Sequence, residues 1–330
     1  MISTAVPATS VGSLPHDDPA AAVDLVLATH PGLPAAPQLS ARTPAEGMLA
    51  QCAAGLEGVT VDPRDGSLTV DVRRLDPGAA VDATFRPDAW SGLLAFVDRL
   101  AGETRPVKLQ LAGPVTLGLA LMAAGAPPDR AFGVALAAIR ARGRAIVDLL
   151  AHRAPGLAPL VVLDEPGLVG VGRPGFPLEP TALVDLMSTA MASLGVRSGL
   201  HCCGETDWSL ALGAGPDVAF IPVDRGVINH PAAVASFLEG GGWVAWGAVP
   251  TDGPVSDDPN RLWRQLTTLW CELVAGGCDP ERLRTQAMVS PACGLAGHGE
   301  SQAALVLRLS AALAERVQEQ AAGVRLAVGA

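Results

Sequence analysis

The chain has 330 residues, 49% of them hydrophobic, enough to bury one large core or two modest ones. Its formal net charge is -10 and no run of Lys or Arg stands out, so a nucleic-acid or anionic-membrane surface has no electrostatic support and the expected ligand is small. The N-terminus, Met1-Ile2-Ser3-Thr4-Ala5-Val6-Pro7, lacks the basic flank and long apolar segment of a signal peptide, and cysteines 52, 202, 203, 271, 278 and 293 show no disulfide-scaffold spacing, which together predict a cytoplasmic setting with thiols free to bind metal.

In chain order, short β-like runs fall at 5–11, 35–39, 107–111, 160–163, 197–201, 218–223, 243–248 and 287–290. Helix-period segments lie between most of them, at 131–151, 180–194, 231–238 and 260–275. The first of these is Ala-rich but interrupted by Arg140, Arg142, Arg144 and Asp148, so it reads as an amphipathic helix and not as a membrane span. Eight strands alternating with helices predict a single (β/α)8 TIM-type barrel, one domain over residues 1–330. One segment breaks the alternation. Residues 58–61 and 67–72 flank Asp62-Pro63-Arg64-Asp65-Gly66, which predicts a β-hairpin inserted after the second barrel strand.

The predicted strands end in chemically distinctive residues: Gly12-Ser13, Gln38, Gly113-Pro114, Asp164-Glu165, His201 with Cys203, Asp224, Thr251-Asp252 and Cys293. In a barrel of this type the loops after the strands build the active site, so these groups should converge on one mouth. His201 and Cys203, in Gly199-Leu200-His201-Cys202-Cys203-Gly204, and Cys293, in Ser290-Pro291-Ala292-Cys293-Gly294, form a candidate zinc set. Zinc favours thiolate and imidazole, and three such ligands leave a fourth position for water, a carboxylate or a substrate thiol. The competing reading makes all three ordinary core residues. The two-residue strand period puts His201 and Cys203 on one face and sends Cys202 to the other, as a packed small apolar side chain.

The motifs Ser10-Val11-Gly12-Ser13-Leu14-Pro15, Ala112-Gly113-Pro114-Val115-Thr116, Asp164-Glu165-Pro166, His201-Cys202-Cys203-Gly204 and Pro291-Ala292-Cys293-Gly294-Leu295 occur in an order that resembles the catalytic domain of cobalamin-independent methionine synthase, over nearly the whole chain. The wider superfamily includes uroporphyrinogen decarboxylase and corrinoid-dependent thiol methyltransferases. The resemblance implies a barrel in which zinc binds the sulfur of a thiol acceptor, homocysteine in the synthase, and the thiolate attacks an activated methyl group. Coordination to zinc deprotonates a thiol at neutral pH without a strong base. Carried over by position, His201, Cys203 and Cys293 are the zinc ligands, Gly12 and Ser13 meet the amino-acid portion of the acceptor, and Asp164 binds its ammonium. The plainer roles are a turn for Gly12-Ser13, a helix N-cap for Asp164 and a basic partner for Glu165.

The sequence also departs from that family. The slot of the family's glutamate ligand holds Pro222; Asp224, two residues on, is the candidate fourth ligand, with Glu205 as the alternative. The tryptophan that stacks on the folate donor is replaced by residues 117–121, Leu-Gly-Leu-Ala-Leu, and the seventh-strand loop, 247–252, has no histidine acid; His298 is the candidate replacement. The long extra N-terminal domain of the full-length synthase is also missing. These departures predict a donor other than polyglutamyl folate: a methylated corrinoid, carried by a partner protein, or another small methyl compound. Two alternatives stand beside this reading. A uroporphyrinogen decarboxylase-like enzyme would need several arginines at the mouth, where Arg42 is the one obvious candidate in the early strand loops. A non-catalytic barrel would use zinc as a sensor or thiol carrier.

Overall fold

The computed structural model describes residues 6–328 apart from 225, 254, 256 and 257. Its elements in order are α1 (Pro19–Thr29), α2 (Met48–Ala53), β1 (Val59–Val61), β2 (Leu68–Val70), α3 (Ser91–Arg99), β3 (Arg105–Ala112), α4 (Pro114–Ala123), α5 (Pro128–Arg153), β4 (Leu157–Asp164) and α6 (Pro180–Ala192). Then follow β5 (Arg197–His201), α7 (Trp208–Gly213), β6 (Val218–Pro222), α8 (Pro231–Glu239), β7 (Trp243–Val249), α9 (Pro259–Ala275), α10 (Pro280–Thr285), β8 (Ala287–Pro291) and α11 (Glu300–Val328).

Strands β3 to β8 form one parallel sheet in sequence order. Parallel neighbours need a crossover, and each is made by the helix or helices that follow the strand. The sheet is mostly apolar on both faces, as a sheet covered on both sides must be, with a few buried polar side chains on its inner face. Leu160, Val162, Val218, Phe220, Ala245 and Met288 pack together on the inside of the curl. The alternate residues, among them Val161, Leu163, Ala219, Ile221, Val244 and Trp246, join the main core beneath the helices.

Eight barrel strands are predicted and six form this sheet. The two N-terminal runs are extended segments joined by isolated parallel bridges, Ala8 to Val289, Ser13 to Gln38 and Ala35 to Lys108. Their hydrogen bonds include Thr9 N to Val289 O at 2.9 Å, Gln38 N to Gly12 O at 3.0 Å and Ala36 N to Lys108 O at 2.9 Å. Proline explains the interruption: Pro7, Pro34 and Pro37 have no N–H to give to a ladder. Gly12, at φ 125°, bends the first segment.

The inserted hairpin is present, with β1 and β2 antiparallel and Val59 opposite Val70. Asp62 N donates to Ser67 O at 2.9 Å, and Gly66 takes the φ of 75° that the turn requires. In α5, Arg142 is not on the solvent side as its charge suggests but buried. It donates to the carbonyls of Ala54 and Thr84 and lies 5.6 Å from the Trp90 ring centre. Among the described residues, no helix is long and apolar enough to cross a membrane.

Candidate functional site

The register of β4 against β5 pairs Asp164 with His201 at the C-terminal edge of the sheet. Paired residues on neighbouring strands point to the same face, so the two side chains meet: Asp164 Oδ1 accepts from His201 Nδ1 at 3.1 Å, with both groups buried. His201 Nε2 lies 3.4 Å from the carbonyl oxygen of Ala292, the residue before Cys293. The Phe220 ring packs edge-on against the imidazole at 6.1 Å between centres.

Cys203 and Cys293, brought from the loops after β5 and β8, lie close enough to influence one another's ionisation. The neighbouring Cys293 and burial hold the Cys203 thiol well above the ordinary range. Proximity to Cys203, helped by the nearby His201, draws Cys293 below it. Cys202 is fully buried in the main core, its Sγ 3.5 Å from Gly204 O, and burial pushes its thiol up to about 12. The alternation of faces thus continues past the end of β5, with Cys202 in the packing and Cys203 half-exposed.

Gly12 and Ser13 lie beside the Cys293 loop. Leu295 N donates to Ser13 O at 2.9 Å, and a Cβ on Gly294 would fall 1.9 Å from Ser13 Oγ, so any larger residue there would make the Ser13 hydroxyl turn away. Asp224 accepts from Gly226 N at 2.8 Å and stands with Glu205 over a cleft of about 450 Å³ whose walls include neither His201 nor the two thiols. Burial, reinforced by the Glu205 charge, raises the Asp224 carboxyl. His298 is partly exposed and lines a broader cleft of about 870 Å³ with Asp252, Gln302 and Gly294.

The donor chemistry of His201, Cys203 and Cys293 fits a thiophilic divalent ion: two neighbouring thiols and an imidazole whose inner nitrogen is held by a carboxylate. Their side chains are not drawn into one coordination shell. Among the described residues no three His, Cys, Asp or Glu groups have that arrangement, and Asp224 stands apart on the Glu205 cleft.

Glu165 and Asp164 take roles other than those expected, and two further buried polar residues, Lys108 and Gln110, belong to no motif. Glu165, fully buried, has no basic partner of the kind expected; it accepts from Val115 N at 2.8 Å, Thr116 N at 2.7 Å and Thr116 Oγ1 at 2.6 Å, capping α4. Asp164, for which a capping role was the alternative, instead holds His201. Lys108, also fully buried, donates to Val11 O at 2.5 Å and Gln110 Oε1 at 3.2 Å, and sits 5.4 Å from the Phe220 ring centre. Burial pulls its ammonium down to about 8. The signal for Lys108 and Gln110 was there: two polar residues alternating with Val107, Leu109 and Leu111, and so aimed at the inner face.

No protein-family model and no curated protein sequence matches the chain. Solved structures match it in shape. A B12-independent methionine synthase from Shewanella sp. W3-18-1, in complex with selenomethionine, aligns with a TM-score of 0.62 at 14% identity, covering 96% of this chain and 98% of that one. A putative vitamin-B12-independent methionine synthase from Listeria monocytogenes aligns with a TM-score of 0.54 at 17% identity, covering 81% and 77%. The chain thus has the fold of the B12-independent methionine synthase structures.

Proposed function

We propose that the chain is a zinc-dependent methyltransferase that methylates a thiol, homocysteine to methionine, with a donor other than polyglutamyl folate. The observation that carries this reading is the meeting of the Cys203 and Cys293 thiols beside an imidazole held by Asp164, in the fold of methionine synthase structures. The selenomethionine bound to the Shewanella enzyme has the chemistry of a methylated thiol amino acid. In this reading the two bridged N-terminal segments serve as the first two strands of a closed eight-stranded barrel, and the enzyme works in the cytoplasm.

His201, Cys203 and Cys293 would hold the zinc, with Asp224 or Glu205 as fourth ligand. Bound zinc would keep the acceptor sulfur as a thiolate at neutral pH. Asp164 fixes the imidazole through Nδ1, and its carboxylate faces the acceptor ammonium. Gly12 and Ser13 receive the amino-acid portion next to the Cys293 loop. The sulfur lone pair forms the new S–CH3 bond, the donor leaves with the electrons of its broken bond to methyl, and the thiol proton goes to solvent.

On the donor side, Leu117 and Leu121 are buried in the core and offer no ring for a pterin, while His298 and Asp252 line the cleft that reaches Gly294. A methylated corrinoid, free or on a partner protein, needs no protonated nitrogen leaving group. Purified protein should carry about one zinc per chain. Cys203→Ser and Cys293→Ser should each remove most of it along with thiol methylation, and Cys202→Ala should keep both. Equal loss in all three variants would sink the assignment. Assayed with homocysteine, methylcobalamin should outperform methyltetrahydrofolate, and the reverse order would overturn the donor reading.

A further inference from the structure

Inside the curl of the sheet, below the candidate site, a cation and an amide stand side by side on β3. The Lys108 ammonium donates to the main-chain carbonyl of Val11 and to Gln110 Oε1, and its face-on neighbour is Phe220, the ring that packs against His201. Gln110 Nε2 donates at 2.8 Å to Ala36 O, on the second extended segment. The Gln110 amide also fills the space directly under Gly12, where a Cβ would come within 2.3 Å of it. Two β3 side chains therefore grip both N-terminal segments, which among the described residues pair with the sheet through isolated bridges.

This grip is transmitted. Val11 is followed by Gly12 and Ser13, and Ser13 meets the Cys293 loop through Leu295 N and Gly294. We propose that Lys108, seconded by Gln110, is a positioning residue for acceptor binding: it anchors the 11–13 segment from inside the barrel, and through Ser13 sets where that segment meets the Cys293 loop. A buried ammonium is a costly way to fill space, and a methionine would fill the same volume at no desolvation cost. What Lys108 supplies that a methionine would not is a strong, directed bond to a carbonyl that has no ladder partner to hold it in place.

The acceptor part of this inference rests on the proposed methyltransferase reading; the anchoring part does not, and the test separates them. In Lys108→Met, amide hydrogen exchange should rise at least tenfold at Leu14, Gln38 and Leu295, the three amides whose bonds tie the segment down, and stay as in the wild type across β5 to β7. The homocysteine KM should rise about tenfold with kcat changed much less. If Lys108→Met does not fold, Gln110→Leu, which removes the amide wedge and leaves the ammonium, should shift the same three amides in the same direction. Exchange unchanged at those amides, or raised uniformly across the sheet, would overturn the anchoring role. A local rise in exchange with an unchanged KM in an active enzyme would overturn the link to acceptor binding. A wild type that neither binds nor methylates homocysteine would sink the methyltransferase reading and the acceptor link with it, leaving the exchange data to decide the anchoring.

Discussion

Glu165 carries a carboxylate into a site with no counter-charge, and its behaviour follows from two opposed effects. Three donors at the start of α4 favour the ionised form, whereas complete burial disfavours it and prevails, raising the group from 4.5 to about 7. An acid whose folded-state value is raised contributes fully below its unfolded value, and that contribution is lost as pH climbs through the folded one. Stability should thus fall between 4.5 and about 7, by on the order of 3 kcal/mol from this group. Urea unfolding of wild type and Glu165→Gln across that window should show the slope flattened in the variant; an unchanged slope would assign it to other groups. Asp164 acts through a different partner. Because it holds His201 Nδ1, Asp164→Ala should weaken zinc binding by about 10- to 100-fold in a chelator competition, the range for removing the carboxylate behind a ligating histidine. A variant with full zinc affinity would leave Asp164 with the acceptor ammonium alone.

At the scale of elements, α5 shows how a charged residue can belong to the core. Arg142 reaches from the helix to the carbonyls of Ala54 and Thr84, so it ties α5 to the irregular stretches on either side of the hairpin. Arg142→Met should cost about 2–3 kcal/mol, reflecting bonds to a charged donor offset by relief of its burial, and chemical denaturation should report it. Helix periodicity revealed α5 but could not show which of Arg140, Arg142 and Arg144 turns inward, since that depends on what α5 packs against. The same division runs through the rest of the chain. Strands β3 to β8 and the hairpin were legible because apolar runs and a Pro/Asp/Gly turn are local signals. The N-terminal runs were apolar enough to look like strands, yet their prolines remove the donors that a ladder uses. The motifs single out His201, Cys203 and Cys293, whose loops the fold brings near one another. The Asp164–His201 bond depends on the β4–β5 register, and the Lys108 anchor on contacts between distant segments, and neither has a local signature.

For the molecule as a whole, the two N-terminal segments lie between β8 and β3, the outer strands of the six-stranded sheet. They cover main-chain groups that would otherwise be open to pairing with another chain. Removing residues 1–14 should therefore do more than delete Gly12 and Ser13: it should leave the β8 side uncovered and cause association, visible as a concentration-dependent shift in size-exclusion chromatography. A truncated protein that stays monomeric and as stable as the full chain would contradict this role.

The bond from Leu295 N to Ser13 O has a further consequence, for the order in which the protein takes shape as it is made. Synthesis delivers residues 8 and 13 well before their partners, residues 289 and 295, which lie far downstream in the chain. Contacts between such distant parts of a chain form slowly, because a long loop must close before they can be made. The central strands can pair with their neighbours as they leave the ribosome, while the Gly12-Ser13 segment must wait for β8. Cys293 follows β8, so the two thiols come together in the same step, once β8 is in place.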